Sequence, residues 1–88
     1  MTGETAEQRL RRLRMRSARR GTKEMDLILG PFAQARLGDM PPDSLADYEA
    51  LLEENDQDLY AWVTGRASPP DRHGALIASL RQFHTFSW

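Results

Sequence analysis

"TKEMDLILGPFAQARLG", residues 22–38, decides between helix and strand for this chain. Met25, Ile28, Leu29 and Phe32 stand at i, i+3, i+4 and i+7, the spacing of one buried face of an α-helix. Glu24 and Asp26 fall in its first turn, where acidic side chains suit the positive end of the helix dipole. Gly30-Pro31 interrupts the pattern. Proline lacks the N–H of an internal helix bond and its ring crowds the preceding turn, so a bend or a break is expected there. Ala35 and Leu37 resume the period, which favours a bent helix over two short ones, and Gly38 is read as its stop.

The same period extends outward in both directions. Toward the N-terminus a helix over about 4–19 places Leu10 and Leu13 with Ala6 and Ser17 on one side and Met15 apart. So thin a stripe predicts a peripheral helix, frayed at its start. Arg16 to Arg20 form a cationic last turn, and Gly21 is read as the left-handed residue just past the helix end. Toward the C-terminus "DMPP" (39–42) is a loop. A third helix over about 42–54 then turns Leu45, Tyr48, Leu51 and Leu52 inward. Asp56 is expected to cap a fourth, about 57–64, with Leu59, Trp62 and Val63 inside, Tyr60 off the stripe and Gly65 as its stop. "SPPD" (68–71) predicts a fifth, with Ser68 as N-cap and Pro69 in the first helical position, burying Leu76, Ile77, Leu80 and Phe83. No stretch alternates with period two, and valine and isoleucine are scarce, so strands are not expected. The fold class is all-α: a compact bundle of five short helices in a single domain, residues 1–88. Its ends (1–8 and 85–88) are expected to be flexible, with Phe86 and Trp88 free to fold back.

Eighty-eight residues, 40% hydrophobic and 28% charged, fit one small soluble helical domain and not a disordered chain. The absence of cysteine excludes disulfides, thiolate nucleophiles and cysteine-bound metal. The longest apolar run, "LYAWV" (59–63), is far short of a bilayer span. The arginine-rich start has a presequence-like look, but Glu4 and Glu7 argue against one, so it is read as part of a mature protein of a bacterial cytoplasm. The net charge of −1 conceals an asymmetry. Residues 1–24 carry eight Lys or Arg against three acids, a net of +5, whereas residues 25–88 carry four Arg against ten acids, a net of −6. A basic end on an acidic body is suited to orienting a partner, and equally to a solvated helix face.

Catalytic signatures are missing. No phosphate-binding loop, dinucleotide fingerprint or paired-histidine metalloprotease motif occurs. His73 and His84 would lie about 16 Å apart on one helix, too far to share a metal ion. Ser17, Ser44 and Ser68 have no histidine near in sequence, and the acids of "EEND" (53–56) read as a solvated helix end. A non-enzyme is expected, with no catalytic residue and no metal. The basic first helix leaves a small nucleic-acid-binding regulator as an alternative, opposed by the acidic remainder and by the lack of interleaved aromatics. A small flavin-binding carrier is a third reading, opposed by the lack of a dinucleotide motif.

"RRGTKEMD" (19–26), "LILGPFA" (27–33) and "YEALLEENDQDLYAWVTG" (48–65) carry a resemblance. They resemble the small bacterial and mitochondrial assembly factors for succinate dehydrogenase flavinylation, over roughly residues 9–84. The resemblance implies a five-helix bundle that binds the flavoprotein subunit of succinate dehydrogenase, with fumarate reductase as a further client, and promotes covalent attachment of FAD. It implies that FAD belongs to the client and that the factor holds no cofactor of its own; contact with nucleic acid or with the membrane interior is not expected either, on the charges and the short apolar runs. A monomer is expected. The family's Arg-Gly-x-x-Glu motif falls on Arg20, Gly21 and Glu24, flanked by Arg19 and Asp26, which makes these five the expected partner-binding residues. Ala18 is a departure, since relatives often carry an aromatic residue in that turn. Read from the residues alone, helix-terminus chemistry suffices to explain both Gly21 and Glu24.

Overall fold

A computed structural model describes residues 3–84; part of the expected flexible ends, and the expected fold-back of Phe86 and Trp88, lie outside them. Five α-helices occur: α1 (Ala6–Ala18), α2 (Lys23–Arg36), α3 (Pro42–Leu52), α4 (Asp56–Val63) and α5 (Asp71–His84). A 3-10 turn, Leu37–Asp39, follows α2, and no strand occurs among the described residues. The all-α class is as the periodicity predicts. The chain divides into two units, Met1–Met40 and Pro41–Trp88.

In the first unit α1 packs on α2. Thr5 starts α1 through a capping box: its hydroxyl accepts from Gln8 N–H at 3.1 Å, and the Gln8 side chain accepts from Thr5 N–H at 2.9 Å. Only Leu13 and Ser17 of the expected stripe are buried; Leu10 is half-buried and Ala6 exposed. Ser17 satisfies its buried hydroxyl locally by donating to Leu13 O at 2.8 Å. On α2, Met25, Ile28, Leu29 and Phe32 are all buried, as their spacing requires. The helix runs unbroken through Pro31, which lies on its exposed side. Gly38 is not a left-handed stop. The helix ends at Arg36 and tightens into the 3-10 turn that contains Gly38, where the Arg14 guanidinium lies 3.3 Å from the position a Cβ would take.

In the second unit α5 packs on both α3 and α4. Leu45, Tyr48, Leu51 and Leu52 are buried on α3, and Leu59, Trp62 and Val63 on α4, as expected. α3 closes two residues early, in 3-10 fashion, with Glu53 N–H donating to Ala50 O and Glu54 N–H to Leu51 O, each at 3.1 Å. The cap of α4 is Asn55 and not Asp56: Asn55 Oδ1 accepts from Asp58 N–H at 2.8 Å, and its Nδ2 donates to the Asp58 carboxylate at 2.9 Å. Gly65 does end α4 in the left-handed region, at φ +81. Arg66 N–H to Ala61 O (2.8 Å) and Gly65 N–H to Trp62 O (3.3 Å) complete a Schellman motif.

The start of α5 differs from expectation. It begins at Asp71, and Ser68 does not cap it. A residue that precedes proline is pushed out of the helical region, so Pro69, standing before Pro70, cannot be a first helical residue. The buried set differs too. Ile77 and Leu80 are buried with His73, while Leu76 and Phe83 are half-exposed.

Candidate functional site

The corner between α1 and α2 carries all five expected partner-binding residues. Arg19 is the C-cap of α1, in a non-helical conformation (φ −135, ψ 59), and is exposed. Arg20 follows, half-buried, and then Gly21 at φ +104. The positive φ thus falls one position later than a residue directly after the C-cap. An L side chain is strained in that conformation, yet apart from its two chain neighbours no described residue lies within 4 Å of a Cβ built on Gly21. Backbone conformation, and not crowding within the chain, therefore selects glycine here. The space beside it is open to a partner.

Thr22 caps α2 by accepting from Met25 N–H at 3.3 Å. Glu24 in the first turn is exposed, as is Lys23. Asp26 is half-buried, and its carboxylate accepts from the backbone N–H of Arg20. One acid of the corner thus braces the turn, and the other stands free on the surface. The charged bond also supplies an acceptor to an N–H that the helix end leaves over. The result is a fixed backbone turn displaying Arg19, the open Gly21 and Glu24.

Close by, α1 and α2 approach tightly. Gly30 is buried, and a Cβ there would meet Ala18 Cα at 3.6 Å and its Cβ at 3.7 Å. Among the described residues of this unit, Met15 and Leu27 are the large apolar side chains left exposed, at 50% and 59%. Leu27 shares an exposed face of α2 with Glu24, Pro31 and Gln34, which recur at helical spacing. Sequence reasoning missed Leu27; the signal for it was an apolar residue off the buried stripe of a strongly amphipathic helix.

A second cluster corrects the reading of "EEND". Glu54 is not a freely solvated acid. Its Oε2 lies 2.8 Å from His73 Nε2 and accepts from Arg72 at 3.0 Å. The hydrogen bond to His73 first, and that to Arg72 second, hold its carboxyl below the usual carboxylate range. His73 is 2% exposed, tilts against Trp62 with ring centroids 5.8 Å apart, and leaves its Nδ1 without a partner. The cluster ties the end of α3 to α5. Among the described residues no three histidines, cysteines or acids come together to hold a metal ion, and no helix is long and apolar enough to cross a membrane.

Residues 11–84 match the family described as flavinator of succinate dehydrogenase, a span that includes the whole corner and helices α2 to α5. Among curated proteins the chain is similar to the mitochondrial succinate dehydrogenase assembly factor 2 of Kluyveromyces lactis, 38% identical over 87 residues, covering 93% of this chain and 53% of the relative. The protein of that name in Meyerozyma guilliermondii is 43% identical over 63 residues, covering 72% of this chain and 47% of the relative. That in Dictyostelium discoideum is 32% identical over 74 residues, covering 84% and 52%. The chain spans about half the length of these relatives. With an all-α chain, a braced Arg-Gly-x-x-Glu corner and a match over residues 11–84, this chain belongs to the flavinator of succinate dehydrogenase family.

Proposed function

We propose that this chain is an assembly factor that binds the flavoprotein subunit of succinate dehydrogenase and promotes covalent attachment of FAD to it. The observation that carries the reading is the corner itself. Asp26 fixes the turn from within, so that Arg19, Gly21 and Glu24 are displayed in one geometry inside the family-matched span. Arg19 and Arg20 offer forked cationic donors to client carboxylates or carbonyls. Glu24 accepts from a client Arg or N–H, and Gly21 admits a close backbone approach. Asp26 serves the partner by holding the turn.

A helper of this kind needs no nucleophile or metal. The flavin and the client subunit carry the bond-forming chemistry, and the factor holds the client in the competent conformation. On this reading FAD stays with the client, the factor is not an enzyme, it works as a monomer, and the fumarate reductase flavoprotein is a second client. The proposed compartment is a bacterial cytoplasm. In support, the arginine-rich stretch forms a capped helix packed on α2 with Leu13 buried, so it serves the fold. The names of the relatives place those proteins in mitochondria.

The test is covalent flavin on the client, read as fluorescence in denaturing gels. Cells supplying Glu24→Ala in place of the wild-type factor are expected to show a large loss of the fluorescent client band, with the variant still helical by circular dichroism. An undiminished band would sink the assignment of the corner.

A further inference from the structure

The face of α1 that continues from the corner holds an open groove of about 440 Å³. Its floor is apolar: Leu10, Met15 and Ala18. Met15 is half-exposed, although burying such a side chain against a partner is favourable and its flexible thioether adapts to irregular surfaces. Across the groove Gln34 brings in α2, on the same helical face as the exposed Leu27.

The rim is cationic. Arg11, Arg14 and Arg19 line it, against one acid, Glu7. Arg14 is held in place, donating to Ala33 O and Gln34 O in long hydrogen bonds of 3.4 Å each. Among the described residues Arg11 and Arg19 have no ion-pair partner, and Glu7, one turn before Arg11, does not supply one. Two uncompensated guanidinium groups, one on α1 and one at its C-cap, therefore bracket an apolar floor. At the rise of an α-helix their Cα atoms stand about 12 Å apart.

We infer that this groove is a docking surface for an acidic segment of the flavoprotein client: a bulky apolar side chain seated on Leu10, Met15 and Ala18, with carboxylates on either side meeting Arg11 and Arg19. In an extended segment that separation corresponds to acids about four residues apart. Charge complementarity selects the occupant, since a basic segment would be repelled by three arginines and a purely apolar one would leave their charges unmet. The inference rests on the proposed function and extends the contact from the corner along α1.

The test is titration of the purified flavoprotein subunit with the wild-type chain, Arg11→Glu and Met15→Ser, with Glu24→Ala as a control at the corner. Arg11 and Met15 are exposed, so both variants are expected to keep the wild-type melting temperature. Arg11→Glu is expected to raise Kd about tenfold and to remove much of its salt dependence, and Met15→Ser to raise it about fivefold at all salt concentrations. Wild-type affinity in both, with Glu24→Ala impaired, would overturn the groove and leave the proposed function standing. No binding of the subunit by the wild-type chain would overturn both.

Discussion

At the scale of single residues, the α1–α2 corner separates bracing from display. Asp26 spends its carboxylate on the Arg20 N–H, so Asp26→Ala leaves that half-buried donor without its charged partner, at a cost of about 1–3 kcal/mol. Asp26→Asn retains an acceptor oxygen and is expected to recover part of the loss. Amide hydrogen exchange at Arg20 checks this: the amide should exchange faster in Asp26→Ala and show partial protection in Asp26→Asn. Glu24→Ala should leave that amide unchanged, because Glu24 is exposed and takes no part in the bond. Gly21 makes a complementary case. Its φ of +104 costs an alanine roughly 1 kcal/mol or more. Gly21→Ala is accordingly expected to lower the melting temperature although its methyl group meets no described residue beyond its chain neighbours. The sequence reading placed a left-handed glycine here but not the bracing role of Asp26. That role depends on a carboxylate reaching back six residues to a backbone donor, a contact that residue type and helical period do not encode.

At the scale of elements, the buried faces of α2, α3 and α4 were legible, those of α1 and α5 only in part, and several caps were not. Met25, Ile28, Leu29 and Phe32 follow one period because a helix has one inward face, and that face repeats every 3.6 residues. Caps hang on competition between neighbours. Asn55 and Asp56 both qualify as N-caps, and Asn55 wins with an acceptor for Asp58 N–H and a donor for its carboxylate. Ser68 loses because Pro69-Pro70 cannot enter the helix in the required register. These readings give opposite mutational outcomes. Asn55→Ala is expected to destabilise by about 1 kcal/mol. Ser68→Ala, exposed and outside the helix, is expected to have no measurable effect in urea unfolding. His73 escaped notice for a related reason. It stands four residues before Ile77 on the buried face of α5, but a stripe sought in apolar residues passes over a histidine whose partner, Glu54, lies nineteen positions away in the turn after α3.

At the scale of the whole molecule, a carboxylate in each unit is held below its ordinary range. In the first unit Glu4 is held by its hydrogen bond to Arg12, at 2.6 Å. In the second Glu54 is held by His73 and then Arg72. The sign of the consequence follows from proton linkage. A carboxyl whose pKa is lower in the folded than in the unfolded chain gives stability that is present in full above the unfolded-state value. Between the two values the unfolded chain binds more protons, so acidification pulls the equilibrium toward it, and the contribution is gone once pH has fallen through the folded-state value. The melting temperature should therefore be level near neutrality and decline as pH drops through and below the usual carboxylate range. The two sites should weigh differently. Glu4 and Arg12 form a surface pair on the outside of α1, of the kind that contributes little in water. Glu54 is more enclosed, serves two donors, and holds the single hydrogen bond of the buried His73 ring. Glu54→Gln is thus expected to flatten the acid limb of the melting curve more than Glu4→Gln does. Its neutral amide oxygen still accepts from His73, which keeps the fold intact at neutral pH for the comparison. Thermal melts of the three proteins at half-unit pH steps measure this directly, and an acid limb that Glu54→Gln leaves as steep as in the wild type would show that the clasp between α3 and α5 does not couple folding to pH.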